Sequence, residues 1–181
     1  MRKVILNVAV SLDGLIEGPN GEYDWCFDDE DYGLTPFFLS IDAIFIGRKS
    51  YDMIRAQPNM FPGKKMYVFS DTLVPREDED VEVIGTANFE HAVEGIINEA
   101  GKSIWLFGGA SLVSAFLDKR WITELHLSVH PIILGAGKPL FESITEKVDL
   151  QFISQQVYNS GLIQLHYALK PKFDMEMLKL L

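Results

Sequence analysis

The sequence predicts an α/β fold: a mostly parallel central sheet of about eight strands, flanked by helices and edged by a C-terminal antiparallel hairpin. Three features predict it. Short apolar runs, of the kind buried on both faces of a parallel sheet, alternate with helical stretches. Glycine-containing turns follow two of those runs directly, at Gly47 and at Gly108-Gly109. The last two runs are joined by Asn159-Ser160-Gly161, a hairpin signal.

Taken in order, VILNVAV (4–10) is the first buried strand. A loop from Asp13 to Asp31 carries turn signals at Gly18-Pro19 and Asn20-Gly21. A short helix is expected over about Asp28 to Ser40, its acid-rich first turn suiting the positive end of the helix dipole. IDAIFIG (41–47) is the second strand, with a short helix after it to about Ile54. MYVFS (66–70) and VEVI (81–84) follow, separated by the charged loop Pro75 to Asp80. The clearest helix spans 89–100, because Phe89, Ala92, Val93, Ile96, Ile97 and Ala100 form one apolar stripe. Asn88 is placed to cap its start and Gly101 to end it in a left-handed conformation. Strand SIWLF (103–107), a helix near 110–119 and strand TELHLSV (123–129) come next, then hairpin strands at 148–158 and 162–169. Residues 1–170 read as a single domain, and 171–181 as a C-terminal tail or short docking helix.

Composition narrows the function. A chain of 181 residues, 48% hydrophobic, fits one domain with a real core. No run approaches the ~18–20 apolar residues of a membrane span. The N-terminus lacks the apolar stretch and cleavage site of a signal peptide. The formal charge of −10 argues against a nucleic-acid partner. One cysteine, Cys26, forms no internal disulfide and no thiolate cage for a metal, which agrees with a cytoplasmic protein. His126, Ser128 and His130 share one face of a strand, but two histidines alone do not make a metal site, and none is assigned.

In an open parallel sheet, ligands bind beyond the carboxyl ends of the strands. Three such junctions carry unusual chemistry. At Gly47-Arg48-Lys49-Ser50, a glycine admits close backbone approach, and Arg48 and Lys49 suit a phosphate; a solvated surface turn is the alternative. At Phe107-Gly108-Gly109-Ala110-Ser111-Leu112, paired glycines and the amides of a helix start suit a pyrophosphate; a tight packing turn is the alternative. At Ser70-Asp71-Thr72, Ser70 suits a ribose phosphate, whereas the Asp71 carboxylate would repel a 2′-phosphate and favours the free ribose hydroxyl of NADH. Arg48, Lys64 and Lys65 are the compensating charges.

The order of SLDGLI (11–16), Trp25, AIFIGRKSYDMI (43–54), SIWLFGGASLVSAFL (103–117) and HPIILGAGKPLF (130–141) resembles the dihydrofolate-reductase-like superfamily. It is most similar to the branch holding the reductase domain of the bifunctional riboflavin-pathway deaminase/reductase and its stand-alone relatives. The resemblance implies a three-layer fold, a homodimer and NADPH as cofactor, with NADH the alternative. NADPH phosphates would lie on Gly47 to Ser50 and on Gly108 to Ser111, the adenosine end near Ser70 and Asp71, and the nicotinamide beside Val8, Ala9 and Ile16. Glu30, counted along the first helix from Trp25, and Asp13 are the candidate catalytic acids; a solvated acidic helix start and a turn aspartate are the alternative readings. Asn7, Trp25 and Lys138 are candidates for the substrate side. The implied reaction is reduction of 5-amino-6-(5-phosphoribosylamino)uracil or a similar small heterocyclic, carbonyl or imine substrate. Dihydrofolate reduction, and a non-catalytic nucleotide-binding protein on the same scaffold, are the other two readings.

Overall fold

The apolar runs at the centre of the sequence lack polar alternation, and they become strands buried on both faces. The structure, a computed structural model, describes residues 1–57, 60–76 and 81–171. In chain order its elements are β1 (Val4–Ser11), β2 (Leu15–Glu17), α1 (Leu34–Ser40), β3 (Ile41–Gly47), α2 (Arg48–Ile54), β4 (Lys65–Phe69), β5 (Val81–Ile84), α3 (Phe89–Asn98), β6 (Ser103–Gly108), α4 (Ala110–Asp118), β7 (Glu124–His130), β8 (Lys138–Pro139), β9 (Leu150–Val157) and β10 (Ile163–Leu169).

Eight strands form one sheet in the order β5-β4-β3-β6-β1-β7-β10-β9. The six from β5 to β7 run parallel. β10 is antiparallel to both β7 and β9, so the expected hairpin edges a parallel sheet. Gly161, at φ 88, supplies the left-handed residue its turn requires. β2 and β8 pair separately and fasten the loop after β1 to the loop after β7.

Two cores make the three layers. On one face, Leu6, Phe45, Ile104 and Leu106 pack under Val93 and Ile97 of α3 and Val113 and Phe116 of α4. On the other, Ile5, Ile44, Ile46, Val68 and Trp105 pack under Phe37 of α1 and Tyr51 of α2. No helix among the described residues is long and apolar enough to cross a membrane.

Three local expectations are corrected. The first helix begins at Leu34, not Asp28. Tyr32 (φ 45) and Gly33 (φ 74) break any helix there, and the Asp31 carboxylate accepts from the Thr35 amide at 2.9 Å and from its hydroxyl at 2.7 Å. The Asn88 side chain does not cap α3, because its backbone closes a 3₁₀ turn over Thr86–Asn88. Gly101 does not end α3 in a left-handed conformation; Glu99, in extended backbone, does. Gly101 is needed for room: a Cβ there would stand 2.9 Å from the Arg2 guanidinium and from the Asp42 carboxylate that pairs with it. The expected tail or docking helix lies, from residue 172 on, outside the described residues.

Candidate functional site

Because β3, β4, β5 and β6 are parallel neighbours, their carboxyl ends share one edge of the sheet. The turns after β3 and β6 meet there. A Cβ on Gly47 would lie 3.4 Å from the Gly108 carbonyl oxygen and 3.5 Å from the Gly109 nitrogen, so the two backbones nearly touch. Gly108 has φ 113, and the Gly108–Gly109 peptide is cis. Both turns open onto one cavity of about 620 Å³, lined by Gly47, Arg48, Lys49 and Ser50 on one wall and Gly109, Ala110, Ser111 and Leu112 on the other. That volume lies in the range of about 300–1,000 Å³ common for small-molecule sites. Phe69, Ile84 and Phe89 line an apolar part of it.

The rim carries three cations, Arg48, Lys49 and Lys138, and two carboxylates, Glu17 and Asp71, beside hydroxyls and backbone amides. The Leu112 and Val113 amides of α4 close on the Gly109 carbonyl, whereas those of Ala110 and Ser111, the first two of the helix, have no acceptor a turn before them and belong to residues of the cavity wall. Arg48 lies against Asp52, with Nε 2.7 Å from Oδ2, on the exposed face of α2. Ser70 Oγ accepts from the amides of Thr72 (3.1 Å) and Leu73 (2.9 Å), which shapes the turn after β4. Asp71 accepts from the Thr86 amide at 2.6 Å and from its hydroxyl, and these bonds hold its carboxyl below the ordinary range.

Lys64 and Lys65 are not compensating charges here. Lys65 opens β4 and Lys64 precedes it, and at ~3.3 Å per residue they stand roughly 13 and 16 Å from its carboxyl end. Lys64 instead donates to the carbonyls of Phe38 and Ile41, both at 2.7 Å, and Lys65 pairs with Glu82 at 3.4 Å.

On the β1 side, Ile16 and Lys138 line the same cavity, whereas Val8, Ala9, Phe107 and Gly108 stand outside its lining. Lys138 Nζ is 2.6 Å from Glu142 Oε2. Asp13 clasps two loops: its carboxylate accepts from Ser11 Oγ (2.7 Å) and from the amides of Leu134 (3.1 Å) and Gly135 (2.8 Å). Those donors, Ser11 first, stabilise the carboxylate and bring its pKa down to about 2. Three donors from two loops fix the carboxylate in one orientation, which is the geometry an orienting group needs. Glu30 is exposed in the irregular segment before α1, outside the cavity lining, and the helical register that singled it out is absent. Trp25 packs edge-on against His130, ring centroids 5.3 Å apart, and its indole N–H is buried without a protein partner. The Asn7 carbonyl accepts from Trp105 Nε1 at 2.9 Å. Burial raises the Cys26 thiol to about 11, which makes it a poor nucleophile.

Glu17, Met53, Thr86 and Ala115 also line the cavity and were not expected. Thr86 could have been found, because it stands two residues beyond β5, at the same kind of junction as the other three.

The profile of the RibD C-terminal domain family matches residues 55–164. YyaP of Bacillus subtilis, an uncharacterized protein, is 38% identical over 179 residues, covering 92% of this chain and 94% of YyaP. Among solved structures, a pyrimidine reductase-like protein from Corynebacterium diphtheriae aligns with a TM-score of 0.76 at 19% identity, over 94% of this chain and 93% of that one. The dihydrofolate reductase of Enterococcus faecalis, complexed with NADP(H), aligns with a TM-score of 0.69 at 14% identity, over 93% and 97%. At such identities the two structures establish the fold, which is dihydrofolate-reductase-like.

Proposed function

This chain belongs to the RibD C-terminal domain family, and on that footing we propose that it is an NADPH-dependent reductase of a small heterocyclic substrate. The observation that carries the reading is the meeting of the turns at 47–50 and 109–112 across one cavity. Backbone amides and a close-approaching glycine are what a pyrophosphate needs, and side chains at Gly47 or Gly109 would occupy that space.

Arg48 and Lys49 would hold phosphate, Ser70 and Asp71 the adenosine ribose, and Ile16, the one of the three expected nicotinamide neighbours that lines the cavity, the nicotinamide. When bound, NADPH supplies the hydride. The chain's part is to orient the two reactants and keep water out. The Asp13 clasp fixes the SLDG loop against residues 134–135, and the β2–β8 pair holds that loop at the cavity mouth. The best-defined substrate is 5-amino-6-(5-phosphoribosylamino)uracil, whose ring-opened ribose would be reduced to ribityl. A homodimer belongs to the same proposal: the edge strand β9 exposes Phe152, Ile153 and Val157, apolar groups that a second copy could cover.

Titration with NADPH and NADH, followed by nicotinamide fluorescence, tests the cofactor. Saturable NADPH binding, with oxidation of the reduced nicotinamide on adding the uracil substrate, is expected. No binding of either cofactor would overturn the reductase reading. Binding of NADPH with turnover of dihydrofolate instead would transfer the chain to the other reductase reading.

A further inference from the structure

We infer that His130 is the positioning residue of the loop between β2 and α1, and that it latches this loop to the end of β7 only while its imidazole is uncharged. The inference goes beyond the reductase reading and stands apart from it. His130 closes β7 and is 3% exposed. Its two ring nitrogens face partners that fix the tautomer. The Phe27 amide, which can only donate, lies 3.1 Å from Nε2, and the Ser128 carbonyl, which can only accept, lies 3.0 Å from Nδ1. The proton therefore sits on Nδ1, and Nε2 accepts the amide through its lone pair.

The loop has few other holds on the sheet. Within it, the Gly21 amide turns back on the Gly18 carbonyl at 3.0 Å and the Cys26 amide on the Tyr23 carbonyl at 3.1 Å. Such bonds shape the loop without tying it down. At its far end Tyr32 is fastened to the hairpin: its carbonyl accepts from Gln164 Nε2 at 2.6 Å, and its ring meets Tyr158 edge-on, centroids 4.9 Å apart. Among the described residues, the hydrogen bond that holds residues 19–28 to the sheet is the one from Phe27 to His130. The packing around it is aromatic. Trp25 and Phe27 both meet the imidazole edge-on, with centroids 5.3 and 5.0 Å away, and the indole N–H is buried against it. One ring thus sets the place of Trp25 through a bond and two contacts.

Protonation is incompatible with that arrangement. A second N–H, on Nε2, would point at the Phe27 N–H, and a buried imidazolium would need a counter-charge. The packed elements carry Asp24, Cys26, Asp28 and Asp29 on the loop, Asp13 beyond β1, and Tyr32 and Tyr158 behind Phe27. Asp13 is engaged by Ser11, Leu134 and Gly135, and Asp29 by the Tyr32 hydroxyl. What acts on the ring is burial first, which lowers its pKa from 6.5, against the backbones of Ser128 and Val10. The loop must therefore leave before His130 takes up a proton, and Trp25 leaves with it. In the open loop the ring returns to its ordinary value. Closure is thus fully favoured above 6.5, and below it the ratio of open to closed loop rises by up to about tenfold per pH unit, until the closed ring itself titrates.

The test is hydrogen exchange of the Phe27 amide, read by NMR on the whole chain without ligand and corrected for the intrinsic rate at each pH. The amide should be protected at about pH 7.5, and its protection should fall about tenfold between about pH 6.5 and about pH 5.5. The imidazole nitrogen shifts of His130 should report a proton on Nδ1 at the higher pH. His130→Gln brings an amide oxygen that does not titrate. Its Phe27 protection, whatever the level, should change by less than about twofold across the same window. An unprotected Phe27 amide at about pH 7.5, or a proton on Nε2 there, would overturn the latch. So would a fall in protection under about twofold in the parent chain, or an equal fall in His130→Gln. No cofactor or substrate enters the measurement, so a failed latch and a failed reductase reading are distinguishable.

Discussion

The carboxyl edge of the sheet and the stacked pair His126–His166 on its α1 face are made in opposite ways. The edge is made of backbone: glycines at 47, 108 and 109 bring amides and carbonyls within a few ångströms, and side chains mostly stay out of the way. The pair is made of side chains delivered by two strands, β7 and β10, onto one face. A region of the first kind is written in a contiguous stretch of sequence. A region of the second kind exists only once the strand order and register are known. Substitutions should accordingly act on geometry in the first and on chemistry in the second.

The largest effect should come from a backbone position. A Cβ at Gly137 would stand 2.1 Å from the Glu17 carbonyl oxygen, and its φ of 147 is one that side-chain-bearing residues avoid. Gly137→Ala should cost about 3 kcal/mol or more in urea unfolding, since neither backbone can yield without parting β2 from β8. Gly108→Ala provides the internal contrast. Its φ is 113 but nothing lies within 4 Å of the added Cβ, so roughly 1–2 kcal/mol of strain is expected. Equal losses would mean that the close approach of the loop at 137 to Glu17 is not what constrains it.

Charge at the cofactor edge ranks next. Arg48→Ala should weaken NADPH about tenfold more than NADH, because a guanidinium is suited to the extra phosphate. Equal losses would show that Arg48 does not read the 2′-phosphate. Asp71→Asn acts in the other direction and more weakly. Removing the carboxylate that Thr86 keeps ionised should improve NADPH over NADH about threefold, read as the ratio of the two dissociation constants. An unchanged ratio would place Asp71 away from the ribose phosphate.

These two edges also explain what could be read from the sequence. The central strands β1, β3 and β6 were legible because a strand buried on both faces is a continuous apolar run, and the hairpin because Asn159-Ser160-Gly161 carries its own turn chemistry. The turns at 47–50 and 108–111 were legible because position follows from strand direction alone. The start of α1 was not, since an acidic stretch looks like a helix N-terminus until Tyr32 and Gly33 adopt left-handed backbone. Lys64 and Lys65 misled because adjacency to a strand does not say at which end of it a phosphate binds. His166 gave no signal at all: nothing local ties it to His126, and only the antiparallel register of β10 on β7 stacks the two rings.

The smallest effect tests whether the stacked pair is uncharged. Both imidazoles are lowered from 6.5 in the folded chain, His126 by burial and then by His166, His166 by burial. The unfolded chain therefore takes up protons at a higher pH than the folded one does. Between 6.5 and the lower folded values the unfolded state holds more protons, so this contribution to stability is fully present above 6.5 and is lost as pH falls through that window. Thermal unfolding at about pH 7.5 and about pH 5.5 should show the melting temperature falling with acidity. His166→Gln removes one lowered imidazole and relieves the repulsion on the other, so the fall should shrink by a degree or two. His130, which burial also lowers, contributes equally in both chains and cancels from the difference. If the variant keeps the full slope, His166 is neither held neutral by burial nor opposed to charge on His126. His166 would then carry its charge in mild acid as an exposed imidazole does.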